Sequence, residues 1–313
     1  MISPSSDPCS TCLRVAARVT LDVVTVKSRF LNARARSGRL ALLIGALVSS
    51  SCQSGNASPT ATPTPPPTSA GRFEVTLPGS GITLGGILFR PEIPSGSRAA
   101  ILVLHGWATA GTNGASLVEN RARRYSEDGY VALALSMRGW PRSLGADDCG
   151  LQQPDDVVEA VRWLAAQPGV DPARVALVGF SQGGQVALLA GARGAAVKAV
   201  VAYYPVTDVA RWKTTTTNPD IPGYVQMVCE PGGTAPRSPL LNAGAIAPPV
   251  LLVHGDLDTR VPTEQSLLLH DALAALGKPT SLLLVPGAQH GFTVEQEAVA
   301  RPVVDEFLTR FLK

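Results

Sequence analysis

Val175-Ala-Leu-Val-Gly179-Phe180-Ser181-Gln182-Gly183-Gly184 decides how the rest of this 313-residue chain is read. An apolar run leads into Gly-Phe-Ser-Gln-Gly, and the stretch after it carries apolar residues at helical spacing. A G-x-S-x-G pattern between a strand and a helix forms a sharp turn whose flanking positions need minimal side chains. The turn pushes its serine out above the sheet. Ser181 also stands at a helix N-terminus, where the dipole favours developing negative charge. The bland alternative is an ordinary glycine-rich turn, and the strand before and helix after tell against it.

Outward from this turn, short apolar runs alternate with helix-period segments. Strands are expected at 73–76, 82–89, 100–104, 131–135, 175–178, 199–202, 250–253 and 281–285. Helices are expected at 116–127, 155–166, 182–192, 264–276 and 295–311. From residue 100 onward the strands lack polar alternation, as suits parallel strands covered on both faces. An opening strand pair followed by βαβ units predicts an α/β fold, a mostly parallel sheet with helices on both sides. Ligands in such sheets bind beyond the carboxyl ends of the strands, where each motif below falls. Hydrophobic residues make up 45% and charged residues 16%, enough apolar material for one large core. No internal repeat is evident.

A serine at its normal pKa needs a base, and the base needs an acid to hold it. After a turn of this kind they follow in the order Ser, Asp or Glu, His. His290 lies in a loop directly after the last expected strand and is the expected base. His254 ends a strand, His270 sits within a helical segment, and His105 lies upstream. Asp256 and Asp258 both follow the 250–253 strand and are the two candidates for the acid. The oxyanion of such a reaction needs preset backbone donors, one of which is the amide of Gln182, just after the nucleophile. Tyr203 and Tyr204 end a strand and are expected to line the substrate pocket. The irregular segment 207–239 is expected to cap it.

His254-Gly-Asp-Leu-Asp258-Thr-Arg-Val-Pro262 resembles the HGxxDxxVP pattern of the dienelactone hydrolase and prolyl-oligopeptidase group of α/β-hydrolases. The resemblance extends from His105-Gly106-Trp107 through Arg138–Ser143 and the elbow to Gly291-Phe292. It implies the α/β-hydrolase fold, Asp258 as the acid with Asp256 the fallback, and a second oxyanion donor in the amide of Trp107. The Trp107 indole would then wall the acyl pocket, or simply pack beside the sheet. Dienelactone hydrolases use a cysteine nucleophile where this chain has Ser181. A β-propeller and an acidic pair for a peptide amino terminus are not expected in this sequence. The expected activity is therefore carboxylic ester hydrolysis by a Ser181–Asp258–His290 triad. The alternatives are a prolyl-oligopeptidase-type peptidase acting on short peptides, and an inactive hydrolase fold kept as a binding module. No cofactor is implied, and no cluster has metal-ligand spacing.

Residues 1–51 hold seven Arg or Lys against Asp7 and Asp22. Removing them from the totals of 27 basic and 24 acidic residues leaves 20 against 22, which gives no electrostatic case for nucleic acid. Arg34, Arg36 and Arg39, the apolar run 40–48 and Ser49-Ser-Ser-Cys52 describe an export signal. The run is too short to span a bilayer. Small residues before Cys52 resemble a bacterial lipoprotein signal, with Ser49 where that class prefers Leu. Lipidation of Cys52 and a membrane anchor are the expectation, and ordinary cleavage near Ser51 is the alternative. Residues 1–25 precede an otherwise complete signal and leave the translation start open. The Pro/Thr/Ser-rich stretch 53–70 reads as a solvated tether, so the expected organisation is signal 1–52, tether 53–70 and catalytic domain 71–313. Cys9 and Cys12 lie upstream of the cleavage point. Cys149 and Cys229 remain, both in loops at the carboxyl ends of parallel strands, and are expected to form a disulfide.

Overall fold

A computed structural model describes residues 67–92, 96–107 and 114–313. The expected signal, Cys52 and the tether through residue 66 lie outside the described residues.

Eight strands form one sheet: β1 (Gly71–Pro78), β2 (Thr83–Arg90), β3 (Arg98–Leu104), β4 (Val131–Leu135), β5 (Val170–Phe180), β6 (Ala199–Tyr203), β7 (Val250–Gly255) and β8 (Thr280–Val285). Their spatial order is β1-β2-β4-β3-β5-β6-β7-β8. β1 pairs antiparallel with β2, and β2 antiparallel with β4, while every later pairing is parallel. β3, β4, β6 and β7 are buried almost throughout, whereas the edge strand β1 alternates between exposed and buried positions. This matches the difference between unbroken and alternating apolar runs in the sequence.

The helices α1 (Gly114–Leu117), α2 (Glu119–Glu127), α3 (Gln153–Ala165), α4 (Gln182–Ala192), α7 (Glu264–Ala275) and α8 (Val294–Leu312) connect or cover the strands. They divide the interior into two apolar layers. One places Val157, Val161, Val186 and Leu269 against one sheet face; the other places Ala122, Ala300, Val304 and Leu308 against the opposite face. The single helix expected over 116–127 is broken at Val118, whose backbone (φ −119°, ψ 10°) leaves the helical region. Val118 is thereby buried while Leu117 is turned outward.

From β3 the chain passes to β4 on one side and later to β5 on the other. Loops leaving β3 and β5 diverge there, opening the crevice in which open α/β sheets bind ligands. Over that crevice lies a small third cluster built from α5 (Val209–Thr215), α6 (Ile221–Tyr224) and a π turn, Val225–Cys229. Asp208 caps α5 by accepting from the Arg211 amide at 3.1 Å. Gln265 of α7 anchors the start of the segment, its side-chain Oε1 accepting from the amides of Thr207 (2.8 Å) and Asp208 (2.7 Å).

Cys149 and Cys229 are joined by a disulfide, with Cα atoms 5.2 Å apart and a sequence separation of 80. The bridge ties the cluster to the loop between β4 and α3, and closing so long a loop is worth about 4 kcal/mol. A non-reduced peptide map is expected to yield the Cys149 and Cys229 peptides as one linked species, with reduction lowering unfolding free energy by about that amount. Two freely alkylated thiols in the folded protein would contradict this.

Candidate active site

At the end of β5, Ser181 adopts φ 55°, ψ −118°, a conformation rarely taken by a residue with a side chain. Two backbone hydrogen bonds hold it there: the Ser181 amide donates to Tyr203 O at 2.9 Å, and Ser181 O accepts from Gln185 N at 3.1 Å. The turn is possible only because its neighbours lack side chains. A Cβ on Gly179 would meet Gly183 O at 2.2 Å, and one on Gly183 would meet His105 O at 2.4 Å. Gly106 also lets the β3 loop come near, though less tightly: a Cβ there would stand 3.1 Å from the Ser181 Cβ. The segment leading to Trp107 therefore passes directly beside the serine. The amide of Gln182 opens α4, where the first amides have no intrahelical acceptor.

His290, in the loop after β8, reaches both other members of the expected triad. Its Nδ1–H donates to Asp258 Oδ2 at 2.7 Å, which leaves Nε2 to accept from the Ser181 hydroxyl at 3.0 Å. Of the two candidate acids, Asp258 is the one on the imidazole. Asp256 is exposed and accepts from the Gly287 amide at 2.6 Å, bracing the loop that carries His290. Gly255 permits that brace, since a Cβ would lie 2.3 Å from Ala288 O.

Asp258 is buried, and burial by itself would raise its pKa. Hydrogen bonds from His254 and His290 outweigh that cost and bring it down to about 2. Its other oxygen accepts from the amides of Arg260 and Val261, at 3.0 and 2.9 Å. His254 is fully buried behind it. The Ser266 hydroxyl donates to His254 Nδ1 at 2.7 Å, and Nε2–H points between Val261 O (2.9 Å) and Asp258 Oδ2 (3.3 Å). Sequence reasoning placed His254 only at a strand end and missed this contact.

An open recess of about 260 Å³ descends to Ser181 past Trp107, Arg121, Tyr204, Arg260 and His290. Tyr204 meets the His290 ring edge-on at 4.7 Å, as expected of a pocket residue. Tyr203 does not belong to the recess. It is buried beneath Phe180, stacked at 4.6 Å, whereas Tyr204, just past the end of β6, turns to φ 37° and reaches the recess. Arg121 forms an ion pair with Glu297 of α8 and lies 5.0 Å over the Phe180 ring. A second network on the other side of Ser181 was not foreseen. There the Asp147 carboxylate accepts from the Tyr224 hydroxyl (2.8 Å), Gln182 Nε2 (2.8 Å), Gln153 Nε2 (3.1 Å) and the Cys149 amide (3.0 Å). Burial raises the Asp147 pKa, and these donors only partly oppose it.

His105 has a structural part. Its Nδ1–H donates to Gly106 O at 2.7 Å, and its Nε2 accepts from the Met137 amide at 3.1 Å, so the ring is neutral. Burial lowers its pKa from 6.5 to about 4, against a smaller opposing effect of the Gly106 carbonyl. Unfolded chain therefore binds a proton between those values that folded chain does not. This stabilising contribution is complete above pH 6.5 and lost on acidification toward 4, on the order of 3 kcal/mol in all. Denaturant titrations at pH 7 and pH 4.5 should show that loss in the wild type and a smaller one in His105→Gln. An equal loss in both would contradict the assignment.

Comparison with known proteins agrees with this architecture. Residues 118–313 match the prolyl oligopeptidase family. The chain is 28% identical over 244 residues to the uncharacterized peptidase YtmA of Bacillus subtilis, covering 75% of this chain and 90% of that one. It is 28% identical over 255 residues to the esterase LipQ of Mycobacterium tuberculosis, covering 73% of this chain and 59% of that one. Its fold superposes on a puromycin-hydrolyzing peptidase of Mycobacterium tuberculosis with a TM-score of 0.69 and 23% identity, over 78% of this chain but 39% of that one. The chain belongs to the prolyl oligopeptidase family and is a serine hydrolase of the α/β-hydrolase fold.

Proposed function

We propose that the chain hydrolyses carboxylic esters through an acyl-enzyme on Ser181, with His290 as base and Asp258 as acid. The reading rests on one observation, the unbroken Ser181–His290–Asp258 relay with distances of 3.0 and 2.7 Å at the floor of an open recess. Ser181 Oγ attacks the ester carbonyl carbon as its proton passes to His290 Nε2. The oxyanion faces the amides of Gln182 and Trp107. Collapse breaks the bond to the leaving oxygen, which takes the proton from Nε2 and departs as an alcohol. Water then repeats the sequence, releasing a carboxylic acid and restoring Ser181.

Asp258, held well below the usual carboxylate range, stays ionised throughout and fixes the ring with Nε2 toward serine. The recess favours esters over peptides with a free amino terminus. Its charged lining residues are Arg121 and Arg260, and no carboxylate lines it among the described residues. Arg121 is paired with Glu297, so an incoming ammonium would meet the Arg260 cation with no lining carboxylate to receive it. The peptidase reading draws support from the similarity to YtmA, and short acyl esters assayed beside aminoacyl anilides separate the two.

Ser181→Ala is expected to lower kcat by about 10⁴–10⁶, because nucleophile and base act as a unit. Asp258→Asn should cost on the order of 10³–10⁴ by misorienting the imidazole, and Asp256→Asn less than tenfold. Steady-state kinetics on a short-chain ester checks all three. Near-wild-type turnover by the alanine variant, or a crippling effect at Asp256, would overturn the assignment.

The proposal includes export and anchoring through a lipid on Cys52, since stable anchoring needs more than one acyl chain and a lipoprotein cysteine carries several. Cys52→Ala is expected to move the protein from the membrane fraction to the soluble one. Unchanged membrane association would contradict the anchor.

A further inference from the structure

Two recesses meet at Ser181, and they differ in kind. The open one, about 260 Å³, has His290 and Gly291 in its wall. The other is enclosed, about 10 Å³, and lies among Trp107, Gln182, Trp212, Ile221 and Tyr224 with the Cys149–Cys229 bridge behind. That volume admits one group the size of a methyl or a water.

The chemistry assigns a substituent to each. His290 Nε2 must deliver its proton to the leaving oxygen, so the alcohol part lies on the His290 side, in the open recess. The acyl substituent then points away from His290, toward the enclosed recess that shares Gln182 with the oxyanion site. We infer that the enclosed recess is the acyl pocket and that it is built for an acetyl group, so that the substrates are acetate esters of larger alcohols. This inference rests on the ester reading above.

The enclosed recess is held at this size by polar contacts that longer chains would have to break. The Tyr224 hydroxyl donates to Asp147 at 2.8 Å and accepts from Gln182 Nε2 at 3.2 Å. Its ring packs against Trp107 at 5.4 Å and Trp212 at 6.3 Å. Trp212 Nε1–H is fixed on Arg260 O at 2.8 Å. Five residues beyond Tyr224, Cys229 is bonded to Cys149, whose amide donates to the same Asp147 carboxylate at 3.0 Å. Displacing Tyr224 would leave a buried carboxylate short of a donor, a cost that a flexible apolar wall would not impose. Ile221, buried beside it, fills the remaining side.

The test is kcat/KM of the full chain on 4-nitrophenyl acetate, butyrate and hexanoate, with Tyr224→Ala and Ile221→Ala compared as ratios within each sample. Such ratios do not depend on how much of a variant is folded. Wild-type kcat/KM is expected to fall on the order of 100-fold from acetate to butyrate. Either truncation should raise the butyrate-to-acetate ratio at least about tenfold. Wild-type rates that are flat or rise toward hexanoate, or ratios unmoved in both variants, overturn the acetyl pocket and leave the ester reading standing. Turnover of none of the three esters overturns both.

Discussion

Every feature of the site depends on the backbone at Ser181 being forced to φ 55°. Conformations of this kind cost about 1–3 kcal/mol and persist only where the surroundings over-determine them. Here the surroundings are backbone rather than side chain. Gly179 and Gly183 lie so close that neither tolerates a methyl group, and Gly106 brings the β3 loop against the serine. The Ser181 amide is tied to the next strand at Tyr203 O. The result projects one hydroxyl clear of the sheet, beside the first free amides of α4 and within reach of a histidine from a loop more than a hundred residues later.

Around that point the protein sets two kinds of electrostatics side by side. On one side Asp258 receives two imidazoles and two backbone amides, an excess of donors that keeps it ionised despite burial. His254, held by Ser266 and Val261, shares Asp258 Oδ2 with His290, while Oδ1 takes the two backbone amides. On the opposite side Asp147 is held by neutral donors and serves as a hub joining the cap segment, the start of α4 and the disulfide loop. The first carboxylate orients a group that moves protons. The second orients walls.

The chain's own order made much of this legible. The elbow is a contiguous motif, the strands are unbroken apolar runs, and the order Ser, Asp, His leaves few choices downstream. Asp256 and Asp258 were separated by resemblance, and the structure supplies the physical difference: one braces the Gly287 loop while the other contacts His290. The place of the cap, 207–239, was legible, but its elements were not. α5 and α6 have seven and four residues, too few for a periodic signal, and their positions are set by partners distant in sequence, Gln265 and Cys149. Tyr224 and Asp147 were missed for the same reason, being 77 residues apart and joined only by folding. Tyr203 and Tyr204 looked equivalent as neighbours, yet Tyr204 turns to φ 37° and faces His290 while Tyr203 stays beneath Phe180.

The central claim is that Ser181 is an activated nucleophile and not merely a strained turn residue. Reacting the folded full chain with a fluorophosphonate and mapping the adduct by mass spectrometry tests it directly. One adduct per chain is expected, on the peptide containing Ser181, with labelling abolished by prior unfolding and slowed by His290→Ala. An unlabelled Ser181 in folded protein, or an adduct confined to another residue, would contradict it.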